Sequence, residues 1–178
     1  MRAFGRPRGI LGRLGGPIMA RMNRTCAAWV IDLLQVRPGD KVLEALGIQL
    51  LTSSASAGYV AGVDPSKEMV AQATTRNKKA IENGRVGLRH GSVASLPFTD
   101  NTFDKALAIN SMQVWPDAVA GLREVRRVIK LGGKVALGFT PNSGQPNTGL
   151  AEMFTAAGFA KADVVERDKN FCALAIKP

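Results

Sequence analysis

The segment Lys41–Asp64 contains the residues of this chain whose types and spacing are best suited to binding a ligand. Glu44 lies near the end of a short apolar run, and Asp64 follows the next apolar run, Tyr59–Val63. In a doubly wound α/β fold, an acidic residue at the tip of the second strand accepts hydrogen bonds from ribose hydroxyls. Asp64 is therefore a candidate ribose ligand.

The turn after the first predicted strand is unusually poor in glycine. A complete nucleotide-binding fingerprint places several glycines between the strand and the next helix, so that the backbone can approach the ligand closely. Here the step from Glu44 to the predicted helix start at Ile48 contains Gly47 as its single glycine. The sequence predicts a nucleotide-binding opening with a shortened glycine motif.

Predicted strands and helices alternate along the rest of the chain. The further predicted strands are Val86–His90, Phe103–Ile109 and Lys134–Phe139, followed by a hairpin of Asp163–Arg167 and Phe171–Ile176. This order predicts an α/β fold with a doubly wound, mostly parallel sheet of seven strands and an antiparallel C-terminal hairpin.

The helices are predicted from their apolar spacing and end signals. They are Pro17–Leu34, a helix from the N-cap Ser66 to about Glu82, a helix from Asp117 through Ile129 to the Gly132–Gly133 step, and Gly149–Ala157. Met69 and Ala73 are expected on the buried stripe of the second helix. Arg123, Arg126 and Arg127 are expected on one solvated face of the third.

The net charge of +10 is concentrated at the N-terminus, where six arginines and no acidic residue occur within Met1–Arg24. At 178 residues the chain is expected to form one domain, residues 17–178, with N-terminal helices, preceded by a basic flexible arm of residues 1–16. The arm leaves a nucleic-acid partner open. Phe4 is the only aromatic residue among its arginines, fewer than a single-strand stacking surface would need.

Several classes of protein are not favoured by the sequence. No apolar run is long enough to span a bilayer, and the basic N-terminus lacks the apolar segment of a secretory signal. The two cysteines, Cys26 and Cys172, have no metal-ligand spacing and form no disulfide framework. We therefore expect a cytoplasmic protein without a metal site, and the sequence does not indicate its oligomeric state.

The ordered motifs of this chain resemble those of the class I S-adenosylmethionine-dependent methyltransferases, especially the small bacterial ubiquinone/menaquinone-methyltransferase-like group. The matching segments are Val42–Glu44, Gly62–Ser66, Gly91–Asp104, Ile109–Asp117 and Leu122–Leu137. The resemblance implies a Rossmann-like methyltransferase fold, S-adenosylmethionine as the cofactor, and methyl transfer to a small-molecule acceptor.

The resemblance also implies roles for individual residues. Asp64 corresponds to the ribose-binding carboxylate and Pro65 to the residue that packs on adenine. Ser92 and Val93 correspond to the adenine-reading loop, although the family usually has aspartate at the position of Ser92. Asn110 corresponds to the wall of the methyl-donor and substrate crevice. No catalytic residue is assigned.

Glu44 and Gly47 correspond to the methionine-binding side of the cofactor pocket, and there the chain departs from the family pattern. Family members carry about five more residues, mostly glycine, before the helix. The shortened motif predicts weakened cofactor binding, and the alternative is a non-catalytic, methyltransferase-like binding or scaffold protein. His90 is interpreted as a structural residue rather than a base, and Trp115 as a packing residue.

Overall fold

The computed structural model describes residues 23–45 and 58–178. The predicted arm of residues 1–16, the single glycine Gly47 and the predicted helix start after it lie outside the described residues.

Within the described residues, seven strands form one sheet in the order β3-β2-β1-β4-β5-β7-β6. The strands are β1 (Lys41–Ala45), β2 (Tyr59–Asp64), β3 (Val86–His90), β4 (Phe103–Ile109), β5 (Ile129–Phe139), β6 (Ala160–Arg167) and β7 (Asn170–Ile176). Strands β1 to β5 pair in parallel, whereas β7 is antiparallel to both β5 and β6. The predicted fold class is confirmed, and the strand order reverses between β1 and β4.

The helices flank this sheet. They are α1 (residues 23–34), α2 (Lys67–Arg76), α3 (Lys78–Glu82), α4 (Ala118–Val128) and α5 (Leu150–Ala156), with short 3₁₀ turns at Met112–Val114 and Pro141–Ser143. None of the helices in the described ranges is both long and apolar enough to cross a membrane.

Alternating strand residues pack into two separate cores, one on each face of the sheet. In β1, Leu43 joins the core that contains α4 and α5, whereas Val42 joins the core that contains α1. The same alternation places Ala108 in the first core and Ile109 in the second. This period of two is the pattern of a sheet covered by helices on both faces.

The predicted helix from Ser66 to Glu82 is wrong in its continuity. Ser66 is the N-cap, and its hydroxyl accepts a hydrogen bond from Met69 N at 3.2 Å. The helix ends at Arg76, and the C-cap Asn77 leaves the helical conformation while its side-chain amide donates to Ala73 O at 2.9 Å. Ala73 is buried as predicted, but Met69 is 39% exposed, so its predicted burial is also wrong.

The predicted boundary between the third helix and the fifth strand is wrong by several residues. Helix α4 ends at Val128, and Ile129 already pairs with Phe103 as the first residue of β5. Gly132 lies inside the strand with a φ of 72°. Ile129 fits the apolar spacing of either a helix or a strand, and its pairing with Phe103 of β4 places it in the strand.

Candidate functional site

The predicted site residues come together at the carboxyl edge of the parallel strands. Ala45, the last residue of β1, pairs with Val63, and Asp64, the last residue of β2, pairs with His90 at the end of β3. Because the strand order reverses between β1 and β4, this edge contains the topological switch point, where open α/β sheets bind their ligands.

Asp64 lies at the tip of β2 and uses its two carboxylate oxygens differently. Its Oδ1 accepts a hydrogen bond from Ser66 N at 2.8 Å, which fixes the orientation of the carboxylate. Its Oδ2 accepts no hydrogen bond from any described residue. The carboxylate is half-buried, so one oriented anionic acceptor remains available to a hydroxyl-bearing ligand.

His90 anchors the segment that follows Asp64. Its Nε2 lies 3.0 Å from Pro65 O, and a carbonyl oxygen can only accept, so this nitrogen must carry the proton. Pro65 itself is exposed beside the β2 tip. This contact supports the structural interpretation of His90 and leaves the Pro65 ring accessible.

Ser92 and Val93 lie in a tight turn directly after β3. Ser92 O accepts from Ser95 N at 3.1 Å, and Ser92 Oγ accepts from Ala94 N at 3.2 Å. The Val93 side chain is buried in the core shared with α4, so Val93 offers only its backbone to a ligand, whereas half-buried Ser92 retains its hydroxyl as a donor. At Gly91 a Cβ would lie 3.2 Å from Pro97 Cδ and 3.3 Å from Val63 Cγ1, so glycine lets the turn pack closely against β2.

Asn110 follows β4 with a left-handed backbone, at a φ of 48°. Its Nδ2 donates to Asn23 Oδ1 and to Thr140 Oγ1, each at 2.9 Å, and its Oδ1 accepts from Thr140 N at 2.9 Å. Both side-chain donors of Asn110 are therefore used within the protein. The residue links β4, the end of β5 and the first described turn of α1.

Glu44 is 2% exposed and lies between Gly62 of β2 and Leu107 of β4 in the strand register. Beside it, Ser111 Oγ donates to Ala45 O at 3.1 Å, which holds the segment after β4 against the end of β1. This contact lies between the ends of β1 and β4, at the switch point.

Trp115 belongs to the core, as predicted from its position. Its side chain is 7% exposed and packs on α4, where a Cβ at Gly121 would lie 2.7 Å from Trp115 Cε3. Its indole Nε1 is buried and has no hydrogen-bond partner among the described residues.

Arg127 lies beside the candidate site, and the prediction that it belongs to a solvated helix face is wrong, because its side chain is 31% exposed and bound to a neighbouring loop. Its guanidinium donates to Leu96 O at 3.0 Å and to Phe98 O at 2.8 Å, in the loop that contains Ser92 and Val93. The sequence signal is the spacing Gly121-x-x-Glu124-x-x-Arg127, which places three residues along one side of α4, facing that loop.

One cavity among the described residues lies away from these strand tips. It has a volume of about 220 Å³ and is lined by residues of α1 and of the β6–β7 turn, including Trp29, Asp32 and Asp168. None of the predicted site residues lines it. We place the candidate site at the strand tips because the oriented acceptor of Asp64 lies there. The described residues contain no cluster of metal-ligating side chains.

The sheet order and the switch point define a Rossmann-like α/β protein. A family model described as a methyltransferase domain matches residues 44–137. The chain belongs to this family and is an S-adenosylmethionine-dependent methyltransferase by class.

Two relatives agree with this assignment, and one solved structure shares the fold. The uncharacterized methyltransferase YdaC of Bacillus subtilis is 28% identical over 182 residues, covering 93% of this chain and 98% of YdaC. A demethylmenaquinone methyltransferase of Bacillus mycoides is 35% identical over 117 residues, covering 61% of this chain and 49% of that protein. A crystal structure of an S-adenosylmethionine-dependent methyltransferase from Aquifex aeolicus has a TM-score of 0.77 at 19% identity, covering 89% of this chain and 93% of that chain.

The described residues fit S-adenosylmethionine at its nucleoside end. The available oxygen of Asp64 can accept a hydrogen bond from a hydroxyl group, and the segment of the Ser92–Val93 turn is joined to the same strand tip by the bond from Gly91 N to Asp64 O. The residues predicted for the methionine end are Glu44, which is buried at the crevice, and Gly47, which lies outside the described residues.

Proposed function

We propose that this chain transfers the methyl group of S-adenosylmethionine to a small-molecule acceptor. The observation that carries the proposal is the oriented, accessible carboxylate oxygen of Asp64 at the tip of β2. Support for a small acceptor comes from the similarity to demethylmenaquinone methyltransferases, although this chain matches only about half of the length of those proteins.

In this proposal the nucleoside is held by groups on β2 and after β3. Asp64 would accept the ribose hydroxyls, Pro65 would pack on the adenine, and the Ser92–Val93 backbone would bind its polar edge. Glu44 and Gly47 would contact the methionine part, and Asn110 would shape the crevice through its backbone. The bound cofactor supplies an activated methyl group on its sulfonium. The protein's task is then to align the acceptor and exclude water.

The test combines binding and transfer. Titration calorimetry with S-adenosylhomocysteine should give one saturable site in the natural chain and weaker binding in Asp64→Ala. Transfer of labelled methyl from S-adenosylmethionine to a panel of small phenols, quinols and amines should then identify an acceptor class. Binding that is unaffected by Asp64→Ala would contradict the proposed site.

A non-catalytic role is the second candidate, and the length of one connection favours it. Strand β1 ends at Ala45 and β2 begins at Tyr59, which leaves thirteen residues, 46–58, for the crossover. A helix that returns along a five-residue strand covers about 17 Å and needs about 11 residues. Few residues remain to wrap the methionine part of a cofactor.

The two candidates are separated by restoring the missing loop. Insertion of about five residues, mostly glycine, between Glu44 and Gly47 should raise the affinity for S-adenosylhomocysteine and leave that for adenosine unchanged. If the natural chain transfers methyl groups and the insertion adds no affinity, the shortened motif is functional and the non-catalytic candidate is excluded.

A nucleic-acid partner is a further proposal that rests on the basic arm alone. If the arm binds RNA or DNA, the affinity should fall steeply as salt rises, because neutralised phosphates release counterions. Deleting residues 1–16 should abolish that binding while leaving the melting temperature nearly unchanged. A large loss of thermal stability would contradict the predicted division into arm and domain.

A further inference from the structure

The loop after β3 is held in place by charged side chains of the neighbouring strand and helix, in addition to its own turn hydrogen bonds. Three consecutive backbone carbonyls, those of Leu96, Pro97 and Phe98, each accept a hydrogen bond from an arginine. Arg127 of α4 donates to the first and third, and Arg89 of β3 donates to the second. The guanidinium of Arg89 also lies 4.7 Å from the centre of the Phe98 ring.

Helix α4 holds the same loop at further points. Glu124 Oε2 accepts from Leu96 N at 2.8 Å, so both backbone groups of Leu96 are bound by α4. Val93 packs against the same helix, because a Cβ at Gly121 would lie 3.3 Å from Val93 Cγ1. Gly121, Glu124 and Arg127 thus form a row of contacts along one helix.

The guanidinium of Arg127 also forms ion pairs with two neighbouring carboxylates. Arg127 donates to Glu124 through Nε at 2.8 Å and through Nη2 at 2.9 Å, and to Asp100 through Nη1 at 2.7 Å. The hydrogen bond from Arg127 holds the pKa of Glu124 below its ordinary value, so the carboxylate remains ionised. A planar guanidinium can make these five contacts at once, whereas a lysine ammonium cannot reproduce their geometry.

We infer that Arg127, oriented by Glu124, is a positioning residue for the base-binding turn of the cofactor site. The guanidinium of Arg127 fixes the backbone carbonyl of Leu96. The hydrogen bonds from Ser95 N and Ala94 N to Ser92 then link this fixed point to Ser92, four residues earlier in the chain. Arg127 contacts no predicted site residue directly. This inference rests on the proposed function, because it assumes that the Ser92–Val93 turn receives the adenine.

The test compares Arg127→Lys with Arg126→Lys. Arg126 is the matched control, because this neighbouring arginine donates to Gly158 O at 2.8 Å, on a different loop. In Arg127→Lys the dissociation constants for adenosine and S-adenosylhomocysteine should both rise by about tenfold, since charge-assisted bonds that hold the turn are lost. The backbone amides of residues 92–98 should also exchange with deuterium faster. Arg126→Lys should change neither quantity.

A purely structural role would lower the melting temperature but leave the affinity unchanged at temperatures where the variant is fully folded. Equal affinities in Arg127→Lys and the natural chain, or unchanged exchange at residues 92–98, would overturn the inference. If Arg127→Lys does not fold, the same affinity and exchange measurements are made on Glu124→Gln, for which we expect a smaller loss of affinity. Absence of binding by the natural chain would overturn the proposed function instead, and the exchange data would still report on the Arg127 contacts.

Discussion

The two sides of the crevice use their polar residues differently. On the β2–β3 side, Asp64 uses one carboxylate oxygen to fix its own orientation and leaves the other available. On the β4–β5 side, Asn110 uses both side-chain donors and its oxygen in bonds to Asn23 and Thr140. The first arrangement can receive a ligand without rearrangement, whereas the second holds three segments of the protein together.

This difference predicts that ligand affinity and folding stability depend on different residues of the crevice. A change on the β2–β3 side should alter ligand affinity with little effect on folding. A change on the β4–β5 side should alter stability with little effect on the nucleoside. It also indicates that the Asn110 amide donates no further hydrogen bond to a methyl acceptor as it is oriented in this structure.

Asp64→Ala should produce the largest change in affinity. Loss of a charged acceptor should weaken S-adenosylhomocysteine binding by about 1.5–3 kcal/mol, or about 10- to 150-fold. Titration calorimetry measures this effect, and circular dichroism verifies the fold. Glu68→Ala is the control, because it removes a carboxylate from the first turn of the adjacent helix without touching the strand tip. Equal losses in both variants would mean that Asp64 acts only through its charge.

Asn110→Ala should instead lower the free energy of unfolding, by about 2 kcal/mol. The variant loses three hydrogen bonds and places alanine in a left-handed conformation. Asn110→Gly loses the same bonds without the backbone strain, so it should be about 1 kcal/mol more stable than the alanine variant. Urea unfolding measures both. A large loss of nucleoside affinity in the folded glycine variant would break the proposed separation of the two sides.

Protonation of Glu124 at low pH should weaken the contacts between α4 and the loop after β3. Its pKa is lowered from an ordinary value of 4.5, chiefly by the hydrogen bond from Arg127. A group whose pKa is lower in the folded state stabilises the fold fully above its unfolded pKa, and this contribution is lost as pH falls through the folded pKa. Stability should therefore fall below about pH 4.5 more steeply in the natural chain than in Glu124→Gln. Parallel curves would show that Glu124 does not contribute in this way.

The smallest expected effect concerns the two thiols. Cys26 and Cys172 are fully buried in the core that contains α1, and burial raises the pKa of Cys26 to about 11. Neither thiol should react with Ellman's reagent at pH 8 until the protein is denatured, since the thiolate is the reactive form. Fast reaction of the native chain would show that α1 detaches from the β4–β5 side.

The sequence predicted those parts of the molecule that depend on local patterns. Strands β3 and β4 were placed correctly because their apolar residues are bounded by turn residues, and Ser66 because its side chain caps the adjacent helix. The end of α4 was misplaced because Ile129 fits both a helix and a strand. Arg127 was misread because arginines on a helix usually face solvent, and its contacts depend on a loop 29 residues earlier. Contacts at such separation are set by the tertiary fold.

The central claim is that the cofactor is held mainly through its nucleoside, at Asp64 and the Ser92–Val93 turn. Titration calorimetry of the natural chain with adenosine and S-adenosylhomocysteine tests it most directly. We predict that both bind one to one, that each displaces the other, and that their affinities differ by less than about tenfold. Tight binding of S-adenosylhomocysteine without measurable binding of adenosine, or no binding of either, would contradict this account.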